Sequence, residues 1–323
     1  MAEHRGRVMA SELQIVTVGD DPPSAPDGHA MLVGLLDHLE ACWSRFVPDS
    51  DLSRLNLADG HPVQVDPSTI TLVATMIEAW RATEQRFDPT TLPALMAAGY
   101  SSSIDDPRRI TILPTGALRF DDSAAVRPKL DDIEIDLDAG IIRLPVGLTI
   151  DAGGIGKGLA ADLAVDLALR SGADGAMVSI GGDIAASQRA PESEWRVVIA
   201  HPDADREPVG TIALTGGGVA TSSTRSRRWR HEGIDRHHLI DPWTDAVSTT
   251  DLASVTVIAR SGWLAEAHAT AAILAGSERV IEHLDRHELT GVAVTIGGDV
   301  LATHDLAPLS GLATSGATTG DRS

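Results

Sequence analysis

Asp-Ala-Gly-Gly-Ile-Gly-Lys-Gly-Leu-Ala-Ala-Asp, residues 151–162, stands where one periodicity stops and another begins. Before it, residues 141–150 suggest a strand or hairpin. From Ile155 the apolar residues Ile155, Leu159, Leu163 and Leu167 recur every four positions, which predicts a helix to Arg170 ended by Gly172. A strand-to-helix junction aims backbone N–H groups and a helix dipole at an anion. Glycines there permit positive φ and close backbone approach, and Lys157 adds a full positive charge. It is not a Walker loop, because Lys157 is followed by Gly158 and the first glycine of that motif is missing. Nor is it a Rossmann fingerprint, since Gly154-x-Gly156-x-Gly158 has the wrong last step. Two readings stay open: a glycine-rich anion loop of another type, or a structural turn with a surface lysine.

Outward from this loop, residues 12–18 and the short runs 176–180, 195–200, 211–215, 254–259 and 291–296 read as strands. Helices are expected at 30–43, with Met31, Leu35, Leu39 and Trp43 on one stripe beside Leu32 and Leu36, and after Asp66-Pro67-Ser68, with Ser68 as cap and Ile70, Val73, Ile77 and Trp80 on one face. Two more are expected near 263–275 and 277–288. The segment 101–129 reads as surface loop with short strands around Ile110–Ile112. Residues 179–187 (SIGGDIAAS) echo 295–303 (TIGGDVLAT), each as strand, glycine turn and return strand. Strands and helices without strict alternation indicate an α+β fold in one unit, residues 1–305, followed by a small, polar, disordered tail at 306–323.

The 323 residues are 43% apolar but only 3% aromatic, so the core must be aliphatic and rich in alanine. Lys and Arg total 26 against 46 Asp and Glu, a formal charge of −20 that opposes nucleic-acid backbones and anionic membranes. An anionic substrate would need local cations or backbone N–H groups. Cys42 is the single cysteine and falls in an apolar helical pattern, so no intrachain disulfide forms. With no signal-like N-terminus and no run of about 18 apolar residues, a soluble, cytoplasmic protein is expected.

Two further patterns carry chemistry. Glu266 and Thr270 lie four apart, on one helix face, and both offer oxygen donors suited to a hard cation such as Mg2+. An exposed glutamate and an ordinary helix threonine would give the same spacing. In His237-His238-Leu239-Ile240-Asp241-Pro242 a strand would put His238 and Ile240 on one face, and a histidine there could serve as a base, bind a transition metal or form a polar patch. No CxxC, HExxH or GxSxG pattern occurs.

Nine segments then fall in one order: Met9-Ala-Ser; SRFVPDSDLSRLN at 44–56; FDPTTLPAL at 87–95; DAGGIGKGLAAD at 151–162; SIGGDI at 179–184; ATSSTRSRRW at 220–229; HHLIDP at 237–242; SVTVIA at 254–259; and AEAHATAAILAG at 265–276. In this order the chain resembles the ApbE-type family of FAD:protein FMN transferases over about residues 9–305. The resemblance implies a single ApbE-like (T-fold-like) α+β unit with mixed or antiparallel sheets, packed helices and an FAD cleft between subregions. It implies FAD contacts at Met9, Phe46, the turn Arg86-Phe87-Asp88, Asp151, Lys157 and Ile240. It implies Mg2+ held by the Gly154 backbone oxygen, Glu266 and Thr270, and FMN transfer to a Ser or Thr of a target flavoprotein, with AMP released. His238 is the candidate base.

The chain departs from the family pattern in Glu266, where Asp is usual, in Glu84-Gln85-Arg86, where Thr-Gly-Gly is common, and in Ala-Ser rather than Gly-Thr after Met9. The Glu266 departure motivates an FAD carrier without transfer as an alternative, and an FAD pyrophosphatase is another. The tail segment Ser315-Gly-Ala-Thr318 resembles the acceptor motif, which raises self-flavinylation at Thr318 against a plain low-complexity tail.

Overall fold

Eight strands form the central sheet in the order in which the chain makes them: β1 (Ala2–Val8), β2 (Ser11–Val18), β3 (Gly175–Ile180), β4 (Asp183–Gln188), β5 (Gly217–Ser223), β6 (Leu252–Ala259), β7 (Thr290–Thr295) and β8 (Val300–Ala302). Every neighbouring pair is antiparallel. This computed structural model describes residues 1–19, 26–114, 129–188 and 194–306. Between β2 and β3 lie α1 (Pro26–Trp43), α2 (Asp51–Leu57), α3 (Pro67–Ala82), α4 (Leu92–Ala97) and α5 (Gly156–Arg170); between β6 and β7 lie α6 (Gly262–Ala275) and α7 (Val280–Arg286). Each half of the sheet is thus two strands, helices, then two strands. The two echoed segments occupy the equivalent turn in each half, β3–β4 and β7–β8.

Strand alternation gives the sheet two apolar faces. In β7, Ala293 packs with Val255, Val257 and the alanines of α6, while its neighbours Val292 and Val294 face the hairpin Trp195–Ile199/Gly210–Leu214 on the other side. Helices α5 and α6 lie side by side on the first face. They approach closely because both carry glycine at the crossing. A Cβ on Gly158 would stand 2.4 Å from the Gly262 carbonyl oxygen, and one on Gly262 would stand 2.7 Å from that of Gly158. Asp162 on α5 accepts from the N–H groups of Gly262 (2.8 Å) and Trp263 (3.0 Å), so one helix caps the other.

The helices expected from periodicity form, with shifted faces. In α1 the buried stripe is Leu32, Leu36, Leu39 and Trp43, and Met31 is exposed. In α3 the buried residues are Thr69, Leu72, Val73, Met76, Ala79 and Trp80, with Ile70 and Ile77 only partly covered. Asp66, not Ser68, caps α3, accepting from the Ser68 N–H. In α5 the buried face is Ala160, Ala161, Ala164 and Ala168 with Leu159, while Leu163 and Leu167 lie at its rim. The close α5–α6 packing selects small residues, which a count of large apolar side chains underweights.

The segment between β5 and β6 folds into two short hairpins, Arg228–His231/Ile234–His237 and Ile240–Asp241/Ala246–Val247. Ile240, Val247 and Trp229 pack with Ala94, Leu95 and Tyr100. This small cluster forms one wall of a cleft whose other wall is the α5–α6 junction. At the end of the described residues Leu306 is buried in the main fold; the rest of the expected tail, Thr318 included, lies outside the described residues. Among the described residues no helix is long and apolar enough to cross a membrane.

Candidate active site

The loop at 151–158 lies between two adjoining cavities, and Tyr100, Asp151, Gly153, Gly154, Lys157 and Arg227 line both. Met9 and Phe46 line the first; Arg86, Phe87, Asp88, His238, Ile240, Glu266 and Thr270 line the second. The two cavities therefore gather all twelve residues singled out from the sequence, contributed by stretches as far apart as Met9 and Thr270.

At the centre, Lys157 extends from the first turn of α5. Its Nζ donates to Asp183, at the start of β4, and to Glu266 Oε1 on α6 at 3.0 Å. Glu266 Oε2 accepts from the Gly158 N–H at 2.8 Å, and Asp183 Oδ1 accepts from the Thr221 N–H at 3.3 Å. Both carboxylates are buried, 4% and 3% exposed, so two charged acceptors share one ammonium. Burial pulls the Lys157 pKa down; the Glu266 charge opposes that and Arg227 adds to it. One turn along α6, Thr270 Oγ1 lies 3.2 Å from Ser222 Oγ. A Cβ on Gly154, which has φ +86°, would lie 3.4 Å from Thr270 Oγ1. Glu266, Thr270 and Gly154 therefore border one space, with hard oxygen donors and a surplus of negative charge. That chemistry fits a small divalent cation.

His238 follows the Ile234–His237 strand. Its Nδ1 is buried without a hydrogen-bond partner. Burial, assisted by Arg227, His237 and Lys157, pushes its pKa down to about 3. The ring is therefore neutral near pH 7, and a weak base until anionic groups offset the neighbouring cations. Asp88 is pushed up, by burial first, against hydrogen bonds from the Thr90 N–H (2.8 Å) and hydroxyl (2.7 Å).

Other residues serve as scaffold. Arg86 turns its guanidinium to Asp241 (3.1 Å) and the Leu274 carbonyl (2.7 Å), beneath Trp243, so it clamps the second hairpin to the end of α6. Phe87 is 2% exposed and belongs chiefly to the core. Met9 and Ala10 form the two-residue β1–β2 turn, both at positive φ (50° and 56°), and the Met9 N–H donates to Glu40 at 2.7 Å. Cys42 is half-buried with its thiol pushed up to about 11 by burial, which suits a structural cysteine.

The sequence model of the ApbE family matches residues 9–296. The chain belongs to the ApbE family. It is 28% identical over 250 residues to a FAD:protein FMN transferase of Vibrio cholerae, covering 76% of this chain and 72% of that protein. It is 28% identical over 305 residues to one of Treponema pallidum, covering 85% and 79%. Among solved structures, the ApbE protein of Thermotoga maritima superposes with a TM-score of 0.78 at 23% identity, over 94% of this chain and 97% of that one. The flavinyl transferase ApbE of Pseudomonas stutzeri, in its apo form, gives 0.76 at 25%, over 96% of each.

Within this ApbE fold several site residues carried no role in the sequence reading. Asp183 was visible only as the last polar residue of a glycine turn; its partner Lys157 is 26 residues away. Arg45, 4% exposed, has Nε 3.3 Å from Asp151 Oδ2, donates to Thr111 Oγ1 (2.6 Å) and lies 4.1 Å above the Phe46 ring. Tyr100 meets Phe46 edge-on and stacks on Trp229 at 5.0 Å. In a chain with so few aromatics that grouping was a signal, but its members lie far apart in sequence.

Proposed function

We propose that this protein is a Mg2+-dependent FAD:protein FMN transferase. The observation that carries the reading is the position of Lys157 and its glycine loop at the seam of two cavities. A dinucleotide has two ring systems joined by a diphosphate. The seam offers an ammonium, backbone N–H groups and a helix N-terminus to the joint, and each cavity takes one end. The names of the relatives point to the same chemistry.

In this reaction the acceptor hydroxyl oxygen of a Ser or Thr on the target flavoprotein attacks the FMN phosphorus. A P–O bond forms, the P–O bond to AMP breaks, and the electron pair leaves with AMP. Such a transfer needs alignment and charge neutralisation more than covalent help. Lys157 and the loop N–H groups supply both at the non-bridging oxygens. The hydroxyl proton passes to His238, whose basicity rises once the diphosphate offsets Arg227 and Lys157. The Gly154 backbone oxygen, Glu266 and Thr270 would hold Mg2+, which when bound supplies charge neutralisation at the diphosphate. Phe46 and Tyr100 offer ring faces for a planar heterocycle.

The test is a mixture of the protein, FAD, Mg2+ and a peptide bearing an acceptor threonine, read by intact mass. An FMN-sized adduct on the peptide is the expected outcome. Free FMN instead would indicate a pyrophosphatase, and intact FAD with raised thermal stability would indicate a carrier.

A further inference from the structure

Helix α6 has a second polar face. His268 lies two residues after Glu266, about 200° around the helix, so it points away from the cleft, toward α7. There it meets His283 on α7 and His287, the residue that caps the C-terminal end of that helix. The three rings close on one another: centroids are 4.8 Å apart for His268–His287 and His283–His287, and 5.4 Å for His268–His283. One nitrogen from each ring lies within 4.8 Å of the other two. His268 Nδ1 and His283 Nε2 are 3.3 Å apart, and His287 Nε2 is buried without a hydrogen-bond partner.

We infer that His268, His283 and His287 bind one divalent d-block cation of the zinc class, at a site separate from the transferase cleft. Metal–nitrogen bonds of about 2.0–2.1 Å at tetrahedral angles put two ligand nitrogens about 3.3 Å apart, the spacing already held by His268 and His283. A modest turn of the His287 ring brings the third nitrogen in. Three imidazoles with no carboxylate in the set select Zn2+, Co2+, Ni2+ or Cu2+ over Mg2+. His268 is buried while His283 and His287 are half-buried, so the cluster lies at the edge of the core. Burial keeps the His283 imidazole uncharged at neutral pH, the form that binds metals. The nearest cations are Arg86, Arg260 and Arg286; Arg286 is paired with Glu282 (2.5 Å) and Glu84 (3.4 Å), which limits its repulsion. The bound ion would cross-link α6 to α7 on the side of α6 opposite Glu266 and Thr270.

The experiment uses the full chain, stripped with a chelator and titrated with Co2+ in excess Mg2+ at neutral pH. Ligand-field absorption saturating at one equivalent is expected, bleached by Zn2+, together with a higher melting temperature. His283→Gln and His287→Gln should lose the absorption, and Glu266→Gln should keep it. Should either histidine variant fail to fold, imidazole NMR signals of the wild-type protein on adding Zn2+ read the site directly, and three shifted rings are expected. No absorption in the wild-type chain overturns the proposal. So does absorption that survives both histidine changes, or three ring signals that ignore Zn2+, which would leave a hydrogen-bonded histidine cluster only.

Discussion

Asp183 and Asp299 follow matching Gly-Gly pairs in the two halves of the molecule, each at the turn between the last two strands of its half. Asp183 is 3% exposed and joined to Lys157. Asp299 is exposed and serves its own turn: its N–H donates to Thr295 Oγ1 at 3.0 Å and its carbonyl accepts from the Thr295 N–H at 2.9 Å. The same short sequence makes a hairpin twice. It enters a buried ion-pair cluster once, where α5 delivers a lysine and α6 a glutamate to the turn. A local motif thus sets backbone shape, and the helices laid over it decide whether its carboxylate is buried and paired.

Breaking the first half at its centre should have the largest effect. Lys157→Met should slow FMN transfer about 10²–10³-fold, as loss of a group that stabilises transition-state charge does. Asp299→Asn in the second half should leave the rate within experimental error. Steady-state transfer assays on both variants test the contrast, and equal losses would end it.

Stability should divide the halves in the same way. Asp183→Asn strips Lys157 of a buried partner and should cost about 3 kcal/mol in denaturant unfolding; Asp299→Asn should stay within about 0.5 kcal/mol. Gly158→Ala forces a methyl onto the Gly262 carbonyl and should cost about 1–3 kcal/mol. Gly297→Ala, whose nearest neighbours would be 3.6 Å away, should cost far less.

His238 has a folded pKa of about 3 against 6.5 for the free side chain. Between those values the unfolded chain binds the proton and the folded one does not. Stability from this group is full above about pH 6.5 and lost as pH falls toward 3. His238→Gln should therefore flatten the fall in melting temperature across that window, and an unchanged slope would show the ring to be solvated.

The smallest effect concerns two turns of the first half. Gly181 and Gly182 take positive φ freely, while Ala10, which has a Cβ, holds φ 56° in the β1–β2 turn. Ala10→Gly should raise stability by about 0.5 kcal/mol, the relief of left-handed strain less the entropy of glycine. Calorimetry would show it.

Helices α1, α3, α5 and α6, the core strands and the glycine-rich junction were legible in the sequence because periodicity and turn residues act within a few positions along the chain. Nine segments in the family's order named twelve residues, and the fold brings all twelve to the two adjoining cavities. Burial faces were less legible: the stripe in α1 was displaced from Met31 and Leu35 to Leu32 and Leu36, and the alanine face of α5 was passed over for its leucines. Other features came only from the tertiary structure: Asp183 as a partner of Lys157, Arg45 beside Asp151, the stacking of Tyr100 on Trp229, Gly158 as a packing glycine as much as a loop glycine, and the meeting of His268 with His283 and His287. Each depends on groups brought together across the sheet, between helices or among loops, where burial and Coulomb forces act through space over a few ångströms and sequence separation leaves no trace.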